Sequence, residues 1–219
     1  YQVNGGEIVV QGAGMDSSRQ DYTDLIAHTV KVNSGIWASD LKVTTGKNRV
    51  SADGASVSKN TDSDNDVKPA LALDVANLGG MYAGKIQLIG TESGVGVRNA
   101  GTLGAQAGSV TLSADGHIEN SGTINASEDI QVSGRALNNS GTLYAGRDTR
   151  ASVSGQLNND GKVVAARHTS ARAGEINSSK NAVFGGGGKP DGRVGESGDL
   201  ALTPPGRLPG PGRGSNTQR

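Results

Sequence analysis

Three groups of residues in this 219-residue chain have the types and spacing that chemistry needs: alternating acids, a glycine-rich turn and three histidines. The run "DSDND" (62–66) places Asp62, Asp64 and Asp66 as the first half of an EF-hand calcium loop does. Val67, however, stands at that loop's glycine position and Leu73 where its bidentate Glu belongs. A solvated acidic loop is the expectation. "GVGVRN" (94–99) is half of a dinucleotide fingerprint, with Asn99 in place of the third Gly and no helical pattern behind it, so a turn is expected there. His28, His117 and His168 are scattered. No Ser-His-Asp set or carboxylate pair gathers around them by sequence, and they are expected as surface residues. The sequence therefore predicts no enzyme, and no catalytic, cofactor-binding or metal-binding residue.

Weaker candidates remain. Trp37 and Tyr82 are expected to pack in the core or a cap, and Tyr144 and Phe184 are candidate exposed contact residues. The sequons at Asn125, Asn138 and Asn177 follow mainly from a repeat described next. Asp129 and Asp148 recur at a break between strand patterns and look like a turn device. Lys plus Arg equals Asp plus Glu at 21 each, without an extended basic block, so a nucleic-acid partner is not expected. Cysteine is absent, which removes disulfides and thiolate metal sites.

The elements that position these residues repeat. The glycine of an Asn-x-Gly turn falls at Gly101, Gly122, Gly141 and Gly161, in steps of 21, 19 and 20 residues, and Asn99, Asn120, Asn139 and Asn159 keep the same steps. Between turns, pairs such as Ile124/Ala126, Ile130/Val132 and Leu143/Ala145 are spaced by two, which puts each pair on one face of a short strand. Such a unit cannot enclose a core alone. It fits one coil of a right-handed parallel β-helix, each strand pairing with its equivalent about 4.8 Å away in the next coil. A leucine-rich repeat has a similar period, but its regular leucines are missing.

Asn and Gly are expected at the corners, where both tolerate left-handed backbone, and stacked Asn amides are expected to bond from coil to coil. With 33% hydrophobic residues, 35 glycines and only six aromatic residues, the core should be narrow. The inward positions shrink toward the C-terminus, and Lys180 stands where a fifth corner glycine belongs, so the last coil is expected to fray. In "DYTDLIAHTV" (21–30), by contrast, Tyr22, Leu25, Ile26, Thr29 and Val30 have the spacing of an amphipathic helix.

The stretches "GGEIVVQGAGMD", "DYTDLIAHTVKVNSGIWASDLKVTTGKN" and "LGGMYAGKIQLIGTESGVGVRNAGTL" closely resemble the filamentous haemagglutinin family of two-partner secretion exoproteins. The resemblance covers about residues 3 to 184. It implies β-helix coil or strand for residues 21–30, against their local periodicity. It also implies two parts, 1–90, the C-terminal part of a secretion or haemagglutination-type domain, and 91–184, haemagglutinin repeats; composition adds a third, the Gly/Pro-rich tail 185–219. That tail holds five of the six prolines and is expected to be disordered. The front half of the family's secretion domain, with its Asn-Pro-Asn-Gly motif, does not occur in this sequence, so a fragment without autonomous secretion is expected.

By the same resemblance, the function implied is a structural fibre segment of a large secreted or surface-exposed adhesin. The alternatives are the stalk of a contact-dependent growth-inhibition toxin, or a secretion module. Its implied partners are an outer-membrane transporter and a receptor or glycan on a host or neighbouring cell, and its place is the bacterial surface. Roughly nine coils are expected, about 40 Å long.

Overall fold

A computed structural model describes residues 1–60, 67–189 and 198–203. Among these the chain contains no helix, and it winds as a parallel β-solenoid of three eight-stranded sheets. Each coil gives one strand to each sheet. The first sheet runs from Glu7–Val10 to Glu175–Ser178, the second from Met15–Ser17 to Val183–Gly185, and the third from Thr23–Ala27 to Leu200–Thr203. The described residues make eight coils, against roughly nine expected.

Alternation within each strand produces the core. On the second sheet Leu103, Ile124, Leu143 and Val163 are in mutual register and buried, as are Ala105, Ala126, Ala145 and Ala165. Leu143 and Ala145 thus lie between Ile124/Ala126 and Val163/Ala165. On the third sheet Ile86, Val110 and Ile130 continue into Thr149 and Thr169. Burying each large side chain contributes about 1.5–3 kcal/mol, so the smaller C-terminal columns hold less.

The residues 21–30 form two strands, Thr23–Ala27 and Thr29–Val32 (the second running two residues further), and not a helix. His28 is the whole corner between them. Ala27 and Val30 are both buried, so the inward phase jumps by three across the corner and imitates the spacing of a helix.

The repeated Asn-x-Gly corner is built differently from the expectation. None of Gly101, Gly122, Gly141 and Gly161 has positive φ, and among the described residues no non-glycine residue has it either. A Cβ on Gly122, Gly141 or Gly161 would instead lie 2.0 Å from the carbonyl oxygen of the preceding corner glycine, and one on Gly101 would lie 2.1 Å from that of Gly79. Close stacking of backbones, and not left-handed geometry, demands glycine. The asparagines are buried strand residues whose amides form the expected ladder. Asn99 Nδ2 donates to Asn120 Oδ1 at 2.8 Å, Asn120 to Asn139 at 2.7 Å and Asn139 to Asn159 at 2.8 Å. The same amides hold their own corners, donating to the carbonyls of Gly101, Gly122 and Gly141 at 3.2–3.3 Å. In the coils before Asn99 this column holds Val32 and Val75, and Asn99 Oδ1 is left buried without a partner.

Two segments leave the wall. After Asp40–Thr45 the chain makes an antiparallel hairpin, Asn48–Val50 with Val57–Lys59. Residues 1–3 add alongside it through Val3 N to Asn48 O (2.7 Å) and Val50 N to Tyr1 O (2.8 Å). It lies against the third sheet: Lys42 Nζ bonds Gly54 O, and Thr44, at an outward register position, is 1% exposed. The other concerns the tail, of which 185–189 and 198–203 are described. Leu200–Thr203 returns to the third sheet and pairs with Thr169–Arg172, with Leu200 opposite Thr169 and Leu202 opposite Ala171. Disorder across all of 185–219 is therefore corrected for Gly185, Gly187 and Gly188, which pair with the preceding coil, and for the four residues Leu200–Thr203. Their Leu-x-Leu spacing continues the inward columns, a signal that the segment's Gly/Pro average conceals. Residues 190–197 and 204–219 lie outside the described residues. In the last coil the corner without glycine takes four residues between Ser178 and Val183, where the preceding coil takes two between Asn159 and Lys162.

Candidate functional site

The acids of "DSDND" fall outside the described residues. Among those described, no group of three or more His, Asp or Glu is arranged to hold a metal ion. "GVGVRN" is a corner entering a strand: Gly94 has φ 81°, Val95 is buried, Arg98 pairs with Asp74, and Asn99 heads the amide ladder.

The three histidines occupy separate places. His28 Nε2 lies 2.8 Å from Glu92 Oε2, and both side chains are about 15% exposed. That corrects the surface assignment for His28, which ties the corner of the first coil to the turn after Lys85–Gly90. The His117 ring covers Gly96, where a Cβ would meet it at 2.2 Å. His168 belongs to a second ladder, at the corner that enters the third sheet. There Ser109 Oγ accepts from Asp129 N (3.2 Å), Asp129 Oδ1 from Asp148 N (3.1 Å), Asp148 Oδ1 from His168 N (3.3 Å) and His168 Nδ1 from Asp199 N (3.4 Å). Asp129 and Asp148 are thus a turn device, one coil's side chain receiving the next coil's backbone N–H.

Asp148 is 6% exposed. Burial pushes its pKa up, but Arg167, the His168 N–H and Arg150 outweigh that and leave it below the usual carboxylate range.

Trp37 and Tyr82 are not in the core. They sit between inward neighbours on the second sheet and stack outside it, centroids 6.1 Å apart and planes 17° apart, with Trp37 42% exposed. Glycines 35 and 80 make room: a Cβ would fall 2.3 Å from the Trp37 ring and 2.8 Å from the Tyr82 ring. Tyr144 is outward and half-buried, whereas Phe184 packs against the core in register with Val163.

Sequence reasoning missed an outward row on the first sheet. Glu7 reaches Lys31 (3.0 Å), and Arg98 forms a two-pronged pair with Asp74 (2.9 and 2.7 Å). Glu119 follows Arg98, and then the row turns to amides: Asn138, Asn158 and Asn177. Aligning coils by strand position would have exposed it, since each member precedes a Val, Asn or Ser of the inward column. A third polar cluster fixes the hairpin: Asp115 bonds Lys59 and Ser93 and faces Arg135. Its pKa is lowered, first by the Lys59 hydrogen bond and then by that from Ser93.

The site as a whole is a wall of stacked rows, with no assembled reaction centre among the described residues. No solved structure matches the chain. The chain is 53% identical over 150 residues to "Toxin CdiA" of Yersinia pestis, covering 68% of this chain and 4% of that protein. It is 43% identical over 126 residues to "tRNA nuclease CdiA-2" of Burkholderia pseudomallei strain 1026b, covering 58% and 4%. A "tRNA nuclease CdiA" of Escherichia coli strain STEC_O31 is 36% identical over 204 residues, covering 83% and 6%. The chain thus spans only 4–6% of these relatives' length. Residues 1–120 match the TPS secretion domain, more than half of the sequence. With the parallel solenoid, that match settles the family: the chain belongs to the filamentous haemagglutinin-like two-partner secretion exoproteins.

Proposed function

We propose that this chain is a fibre segment of a large surface-displayed exoprotein, in which the early coils serve export and the later coils give reach. The observation that carries this is the unbroken pairing of eight coils through three sheets, from the matched secretion domain onward. A secretion domain implies an outer-membrane partner transporter, and the family is secreted and displayed at the cell surface. A change near residue 90 is supported by the inward column, which passes from Val75 to Asn99 between the third and fourth coils, while the secretion-domain match continues to residue 120. The fibre assignment calls on no catalysis. The nuclease and toxin names belong to relatives of which the chain spans a few per cent, and the rows described above tie one coil to the next.

The test removes coils from the full-length exoprotein. Deleting residues 142–161, one whole coil, restores Asn-x-Gly register and should preserve export and display, as read by protease accessibility on intact cells. Deleting 142–151 should abolish both. Equal behaviour of the two deletions would refute the fibre assignment.

The names of the relatives favour a second reading, a stalk for contact-dependent growth inhibition. Under it, whole-coil deletion alters killing of neighbouring bacteria and leaves adherence to host cells unchanged. Under adhesion the reverse holds.

A further inference from the structure

On the first sheet, from the fifth coil to the eighth, the outward row borders an open groove of about 680 Å³. Asn138, Asn158 and Asn177 form its floor, and Glu119 and Asp160 border it. The amides are linked: Asn158 Nδ2 donates to Asn138 Oδ1 at 2.8 Å, and Asn177 Nδ2 to Asn158 Oδ1 at 3.0 Å. A side-chain amide has two N–H groups and an oxygen with two lone pairs, so each rung keeps hydrogen-bonding capacity for a ligand. Coil spacing repeats that capacity about every 4.8 Å.

We infer that this groove binds a neutral glycan chain lying along the solenoid axis, its hydroxyls paired with the amide row and with the Glu119 and Asp160 carboxylates. The inference goes beyond the fibre assignment but rests on it, since a displayed fibre meets glycans. The groove chemistry selects this ligand. Its lining has two carboxylates and no Lys, Arg or His, which repels phosphate, sulfated and sialylated groups. A divalent cation lacks a cage: Glu119 and Asp160 belong to coils two apart, about 10 Å along the axis. No aromatic or large aliphatic side chain lines the groove to anchor a protein partner. Hydroxyls, which both donate and accept, suit amides and carboxylates together.

The test titrates the purified 219-residue chain with maltotetraose, cellotetraose and lacto-N-neotetraose as neutral probes, and with sialyllactose and a heparin tetrasaccharide as anionic ones. Saturable binding of at least one neutral probe, with the anionic probes weaker, is expected. Asp160→Ala should weaken that binding about tenfold, the loss of one hydrogen bond to a charged group. Because Asp160 is exposed and outside the amide row, its thermal unfolding should match the parent's. Asn158→Ala should lower both affinity and melting temperature. The inference is overturned by no saturable neutral binding, by preference for an anionic probe, or by an Asp160→Ala variant that binds like the parent. Failure here leaves export and display untouched, so it is distinguishable from failure of the fibre assignment.

Discussion

Replacing Gly141 with Ala tests why the corner is written Asn-x-Gly. The new Cβ would sit 2.0 Å from Gly122 O, 2.8 Å from Ser121 C and 2.9 Å from Gly122 N, all backbone atoms that no side-chain rotation can move aside. Ordinary contact requires the two coils to part by about 1.5 Å at that corner. The bonds that resist are Gly141 N to Asn120 O (3.0 Å) and Thr142 N to Gly122 O (2.9 Å), with Asn139 Nδ2 to Gly141 O (3.2 Å) beside them. Weakening two backbone bonds costs about 1 kcal/mol each and overpacking about 1–3 kcal/mol more, so a loss of roughly 3–5 kcal/mol is expected. Equilibrium urea unfolding followed by circular dichroism reads it, with hydrogen exchange at residues 120–142 locating it. Gly104→Ala is the control, because its Cβ would meet Tyr82 Cδ1 at an ordinary 3.5 Å and should change stability by less than about 0.5 kcal/mol. Gly141→Asn separates the two explanations. If left-handed backbone were the reason for glycine, Asn would be tolerated; if stacking is, Asn is as harmful as Ala. A Gly141→Ala loss below about 1 kcal/mol, or rescue by Asn, refutes the stacking argument.

Other expectations follow from the ladders and the outer wall. Asn139→Ala strands one Asn120 Nδ2 N–H in the core, leaves Asn159 Oδ1 with only the Gly161 N–H, and should cost about 2–5 kcal/mol. Asn99→Val strands only Asn120 Oδ1 and should cost at least 1 kcal/mol less by the same urea assay. Because the folded pKa of Asp148 lies below its unfolded value, its stabilisation is present above about pH 4 and is lost as pH falls through the folded value. Asp148→Asn should therefore flatten the acid limb of a plot of urea midpoint against pH. Asp115 has the same sign, so acid should raise hydrogen exchange in the hairpin strands Asn48–Val50 and Val57–Lys59 before it melts the coils. Trp37 is the chain's one tryptophan, and Gly35→Ala should displace its ring and shift its fluorescence while the far-ultraviolet spectrum stays unchanged.

The solenoid was legible because its period is written in residues that face inward. Leu143 and Ala145 could be placed in a column from spacing alone, and the Asn99 to Asn159 ladder from the equal steps of its members. What sequence could not show was contact between coils. Gly141 looks like a turn residue until the carbonyl above it is seen, and Trp37 looks like core until Ile36 and Ala38 claim the inward positions on either side. The helical appearance of residues 21–30 came from a one-residue corner at His28, which shifts the alternation without any local mark. The outward row from Lys31 to Asn177 is spread one residue per coil, so it emerges only once the register is known.

The hairpin departure also bears on how such fibres change over evolutionary time. Val75 stacks on Val32 as closely as Asn120 stacks on Asn99, although the first pair is separated by 43 residues and the second by 21. Register is set by what a returning strand meets and is indifferent to the path taken between. Closing a longer path costs only about 0.6 kcal/mol for each doubling of its length. The corner between Thr45 and Leu71 is thus a place where longer sequence can enter, by natural insertion or as a displayed epitope, while the flanking coils keep their register.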